Sequence, residues 1–339
     1  MNRRDFIKTV TLVSFVRQSE ILASPGDANA VRQINTVLGP VPATHLGRTL
    51  MHEHILTDLI GADRIGRGRY DAQDVIRVVL PHLREAKRLG CETLVECTPA
   101  YMGRAPELMA ALSKASGLQI LTNTGLYGAA ADRYVPRSAY VQSAEALAAL
   151  WTREFLEGIP PTGIRPGFIK LGVDAGPLSD IDAKLASAAA LTHQKTGLAI
   201  MSHAGNGVAA MAQLALLKKH GVPPSSFIWA HAQDEKDSTY HRRAADDGAW
   251  VEFDGISQDS ATLHISLILK LKQGGLLERT LISEDTGSYR VGEAGGGSFS
   301  GYGFMFTGFV PEALKTGLTH DDVRTLLSRN PQRALTPLA

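Results

Sequence analysis

Cysteine is nearly absent from this 339-residue chain, which has two, and aromatic residues make up only 6%. Cys91 and Cys97 flank an apparent strand whose extended geometry separates them by about 20 Å, too far for a mutual disulfide. Cysteine usage therefore leaves the compartment undecided. Charge of one sign is missing too, since 35 Lys and Arg offset 34 Asp and Glu. With no basic stripe, nothing is suited to a phosphate backbone, and nucleic acid is excluded as an expected partner. A long apolar run is also lacking. The N-terminal run from Thr9 to Val16 is closed by Arg17, well short of the ~20 residues a membrane helix needs.

What is present is a chain with 44% hydrophobic residues, enough for a sizeable core. Its start, Arg3-Arg4-Asp5-Phe6 followed by that apolar run and by Ala28-Asn29-Ala30, reads as a twin-arginine export signal spanning residues 1–30. The expected location is therefore periplasmic or secreted, with a basic N-terminal helix and a cytoplasmic protein as the alternative. Residues 31–339 are expected to form one domain.

Short apolar runs alternate with stretches of helical period along that region. The runs lie at residues 49–55, 93–96, 119–123, 168–171, 199–202, 227–230, 250–253 and 280–283. Amphipathic helices are expected at 74–89, 143–157, 181–196, 207–220 and 263–274. Such alternation implies parallel pairing, and eight repeats imply closure into a (β/α)8 TIM barrel. An open doubly wound sheet is disfavoured because Thr57-Asp58-Leu59, and no glycine-rich turn, follows the first strand. Residues 34–48, with Gly39-Pro40, read as a small hairpin under the barrel. The glycine-rich segment 292–303 reads as a mobile loop over the mouth and lacks a phosphate-binding ending.

Six residues at strand C-termini carry the chemistry. His52 and His54 share one side of the first strand, with Glu53 opposite. Lys170 ends the fourth strand amid apolar neighbours, where an ammonium is costly unless paired, neutralised or modified. His203, His231 and Asp285 end the fifth, sixth and eighth strands. Each has an ordinary structural alternative, but four of only 11 histidines converge on the face where barrel active sites lie. Asp254 and Asp234 are read as orienting partners of ligating histidines, or as loop caps. Tyr101, Tyr127 and Tyr302 are pocket or packing residues, and His193, His220, His241 and His264 are read as surface residues.

From residue 34 onward the chain resembles the phosphotriesterase family of the amidohydrolase superfamily. The resemblance rests on Leu50-Met51-His52-Glu53-His54, Thr98 with Gly103-Arg104, Glu157-Gly158-Ile159 and Phe168-Ile169-Lys170. It continues through Ser202-His203, His231 with Asp234, Phe253-Asp254, Ser283 with Asp285, and Asn330-Pro331. It implies two divalent metal ions, zinc with cobalt or manganese as alternatives. His52, His54 and Asp285 would hold the more buried ion, His203 and His231 the more exposed one, and an N-carboxylated Lys170 would bridge them. A hydroxide between the ions would attack a small-molecule lactone, carboxylic ester or organophosphate ester, with Asp285 accepting its proton, and a homodimer is expected. The chain departs from lactonase-type relatives at Gly255-Ile256-Ser257, where they carry an arginine. A mononuclear amidohydrolase and a non-catalytic metal-dependent binding protein are the rival readings.

Overall fold

The computed structural model describes residues 32–66 and 68–338. The expected export signal lies outside these residues. Strands β3 (Thr49–Thr57), β4 (Thr93–Glu96), β5 (Gln119–Leu121) with β6 (Asn123–Thr124), β7 (Phe168–Val173), β8 (Ile200–Ala204), β9 (Phe227–Ala230), β10 (Trp250–Phe253) and β11 (Thr280–Ile282) provide the eight barrel positions. The chain is a parallel (β/α)8 barrel. One arc runs β11-β10-β9-β8-β7-β6, and the other joins β3, β4 and β5. Both arcs share the third barrel position, where a break at Thr122 divides β5 from β6. At the eighth position Asp285 N donates to His52 O and His54 N to Thr286 O. A short β12 (Gly287–Arg290) then continues alongside β3.

Side-chain alternation along the strands divides the apolar residues into two cores. Met51, Val95, Leu121, Phe168, Met201, Ile228, Trp250 and Leu281 fill the barrel interior. Leu50, Leu94, Ile120, Ile169, Ile200, Trp229, Val251 and Ile282 point outward beneath the helices. The expected hairpin forms as β1 (Gln33–Thr36) antiparallel to β2 (Gly39–Pro42), and its Ile34 joins the inner core with Leu46. It therefore plugs the bottom, which is its expected place.

Outside the strands, α1 (Ala72–Arg88) buries Val75, Val79, Leu83 and Ala86 along one stripe, and Asp71 caps its start. α2 (Pro106–Ser116), α3 (Arg137–Val141), α4 (Ala144–Glu157), α5 (Asp180–Thr196), α6 (Gly207–Lys219), α7 (Ser238–Asp246) and α8 (Ala261–Gln273) follow. Among the described residues no helix is long and apolar enough to cross a membrane. Both cysteines are buried and free.

Three expectations about side chains need correction. His193, His241 and His264 are buried, because they occupy the inward faces of α5, α7 and α8. There their ring nitrogens meet carbonyls of Leu198, Ala232 and Asp254 at 2.8, 2.6 and 2.7 Å. The glycine-rich segment is anchored rather than free over the mouth. Phe299 stacks on His82 of α1 at 4.7 Å, and the buried Tyr302 donates its hydroxyl to His54 O at 2.7 Å. The chain passes so close here that a Cβ on Gly287 would lie 2.1 Å from His54 O.

Candidate metal centre

Two irregularities aim side chains into the barrel mouth. In β3 the pairing with β4 shifts register between Leu50 and Glu53, and such a bulge re-aims the residues that follow. Met51 stays in the lower interior layer, while His52 and His54 both face the mouth and Glu53 turns into the wall. There Glu53 accepts from Ser283 Oγ and from the amides of Glu284 and Thr286, tying the first barrel strand to the eighth. The second irregularity is left-handed backbone at His231 (φ 62°) and Asp285 (φ 47°). Strict alternation after the inward Ala230 would point His231 outward. The left-handed turn points it back, and its amide is held by Asp254 Oδ2 at 3.0 Å.

The six expected residues come together. His54 Nε2 lies 3.1 Å and His52 Nε2 3.8 Å from Asp285 Oδ1. The fully buried Lys170 places Nζ 3.1 Å from His52 Nε2, with no carboxylate in ion-pair reach among the described residues. The ring of His231 stands 4.8 Å from that of His52 and 4.4 Å from that of His203, and its Nδ1 is 3.7 Å from Asp285 Oδ2. Two overlapping groups, His52–His54–Asp285 and His52–His231–Asp254, have the spacing to hold a metal ion.

Hydrogen bonds and burial set the state of His54. Thr98 Oγ1 lies 2.6 Å from Glu96 Oε1 and 2.7 Å from His54 Nδ1, which fixes the ring so that Nε2 faces Asp285. Burial pushes His54 below the ordinary histidine value, outweighing its carboxylate partner. Burial pushes Asp285 up, but His52 and His54 outweigh it and hold the carboxyl below its usual range. His54 Nε2 and Asp285 Oδ1 thus converge at 3.1 Å, a pair of donor types with the spacing to share a positive ion. Burial, then His231 and Lys170, push His203 down to about 3, so it too is a neutral donor.

Asp254 organises both halves of the centre. Its Oδ1 lies 2.6 Å from His231 Nδ1 and its Oδ2 3.0 Å from His52 Nδ1. Gln233 clamps it, donating Nε2–H to Oδ1 at 2.7 Å and accepting from the Asp254 amide at 3.1 Å. Burial opposes the charge on Asp254, yet His231 and His52 hold its carboxyl well below the ordinary value. The orienting role expected for Asp254 therefore has its geometry. Asp234 is exposed, and it acts on His231 and His264 through its charge alone. Tyr127 stands 5.4 Å from the His203 ring, Tyr101 is exposed, and Tyr302 is packing. Sequence reading missed Gln233, Glu96 and Glu252; the two glutamates, each inside an apolar strand, were the available signal.

Residues 32–335 match the phosphotriesterase family model. The chain belongs to the phosphotriesterase family. It is 30% identical over 292 residues to the phosphotriesterase homology protein of Escherichia coli K12, covering 85% of this chain and 97% of that protein. It is 23% identical to the aryldialkylphosphatase of Saccharolobus solfataricus, covering 86% and 96%. It is also 24% identical to the N-acetyltaurine hydrolase of Salmo salar, covering 90% and 98%. Membership places this phosphotriesterase-family chain among hydrolases that act on small molecules.

Proposed function

We propose that the chain hydrolyses an ester-like bond of a small molecule, a lactone, carboxylic ester or organophosphate ester, at a centre of two divalent metal ions. The observation that carries this reading is the convergence of His54 Nε2 on Asp285 Oδ1 at 3.1 Å, ringed by His52, Lys170, His203 and His231. His52, His54 and Asp285 would hold one ion and His203 and His231 the other, with zinc, cobalt or manganese suited to these donors. Lys170, buried with an imidazole as its one hydrogen-bond partner among the described residues, is suited to carboxylation, which would exchange a costly cation for a bridging carboxylate-type ligand. Bound ions supply Lewis acidity and lower the pKa of a water. Asp285, kept ionised and aimed into the mouth, accepts the proton as the new bond forms. Tyr127 walls the side of His203 and would meet the substrate. The amide-cleaving name of one relative favours a second reading, hydrolysis of an N-acyl amide.

The test combines metal content with a substrate panel. Elemental mass spectrometry on protein purified with bicarbonate should give about two ions per chain, falling sharply in Lys170→Ala. A lactone, an aryl ester, a phosphotriester and an N-acyl amide are then offered to the loaded protein. Turnover of the first three classes supports the ester reading, turnover of the amide alone replaces it, and metal-free wild type overturns both.

A further inference from the structure

One carboxylate beneath the centre takes no part in the scheme above. Alternation along β10 places Trp250, Glu252 and then Asp254 inward, with Val251 and Phe253 outward. Glu252 therefore sits inside the barrel, paired in register with Leu281 beside the apolar interior residues. It is fully buried, and neither of its oxygens makes a hydrogen bond to a described residue. Its one ion-pair contact among the described residues is with His52 Nδ1, 3.5 Å from Oε2. That nitrogen is also 3.0 Å from Asp254 Oδ2. Asp254 is the nearer of the two, and His52 Nδ1 forms a well-aligned hydrogen bond with neither. Glu252 is left with no donor of its own.

A buried carboxylate in that condition is costly where it stands. An apolar residue of similar size would pack the layer as its neighbours do, and a positive charge nearby would offset the cost of keeping a carboxylate there. The site that offers one lies on the far side of the same ring, where His52 Nε2 faces Asp285 and Lys170. Charges separated by a single imidazole act strongly on each other in an interior of low dielectric. Carboxylates behind a ligating histidine raise its basicity and tighten the metal.

We infer that Glu252 is a positioning residue that sets metal affinity: a buried counter-charge, lying behind His52, for the ion which that histidine holds. The inference rests on the metal-centre reading. Glu252 lies inside the barrel beneath the centre and would act through His52.

The experiment compares wild type, Glu252→Gln and Glu252→Asp, each stripped by a chelator and titrated with zinc against a chromophoric competitor at one pH. Tm is recorded before and after loading. Glu252→Gln keeps the shape and removes the charge, so its zinc affinity should fall by roughly 10- to 100-fold, with a smaller gain in Tm on loading. Stripped Glu252→Gln should melt at or above the stripped wild type. Glu252→Asp keeps the charge and should retain most of the affinity. Wild-type zinc affinity in Glu252→Gln overturns the inference and leaves the metal centre standing. A lower Tm of the stripped Gln variant overturns it as well, by making Glu252 a structural anchor. A wild type that binds no zinc overturns the metal-centre reading and this inference together.

Discussion

His231 and Asp285 hold backbone angles that non-glycine residues rarely adopt, at a cost of roughly 1–2 kcal/mol each. Such strain persists where surrounding bonds over-determine it, as at functional sites. Here the Asp254 carboxylate holds the His231 amide and lies against both His231 Nδ1 and His52 Nδ1. Asp254→Asn keeps the size and the acceptor for the amide but removes the charge against the two rings. It should fold and yet bind metal roughly 10- to 100-fold more weakly, as read by competition with a chelator. At this scale the six proposed ligands were legible because each is a polar residue within or just past an apolar strand. Gln233 was not legible. Nothing in Ala232-Gln233-Asp234 tells that its amide pairs with both the backbone and the side chain of a residue on the next strand.

Between elements, the polar ties are carboxylates set into the barrel wall. Glu96, at the end of β4, accepts the Ile55 amide of β3 at 3.1 Å and the Thr98 hydroxyl at 2.6 Å. Burial pushes its carboxyl up to about 8 despite those bonds, whereas in the unfolded chain it titrates near ~4.3. The folded protein therefore holds this proton more tightly. The resulting stability is full below about pH 4 and is lost as pH rises toward 8, on the order of 5 kcal/mol at ~1.36 kcal/mol per unit. Urea unfolding of the metal-free protein at pH 5 and pH 8 should show most of that loss in wild type and a clearly smaller one in Glu96→Gln; equal losses would sink the assignment. Element boundaries followed the apolar runs closely, and β4, β9 and β10 span the expected residues. The register shift in β3 was not visible in Leu50-Met51-His52-Glu53-His54, since a bulge is a property of two paired strands. The buried helical histidines escaped for a related reason. Period alone does not say that a carbonyl waits opposite a ring.

For the whole molecule, the barrel gathers donors from the first, fourth, fifth, sixth and eighth strand positions, so a bound ion cross-links distant parts of the chain. Each ion at a free concentration of about 100 times its dissociation constant should add about 2.7 kcal/mol to stability. Stripping with a chelator should therefore lower Tm by several degrees, at ~2–4 °C per kcal/mol for a domain of 150–250 residues or more. Readdition of zinc should restore it; a Tm indifferent to both steps would remove metal from the stabilising interactions. The sequence by itself determined the alternation of strands and helices, the closed barrel, and which polar residues end the strands, because these follow from local periodicity and from the cost of burying charge. Only the tertiary structure decided that His54 and Asp285 face each other across 3.1 Å, that Asp254 serves two histidines, and that Glu252 lies without a donor behind His52. Those relations join residues up to 231 positions apart, as in the bond from His52 N to Ser283 Oγ, and their distances exist only once the barrel has closed.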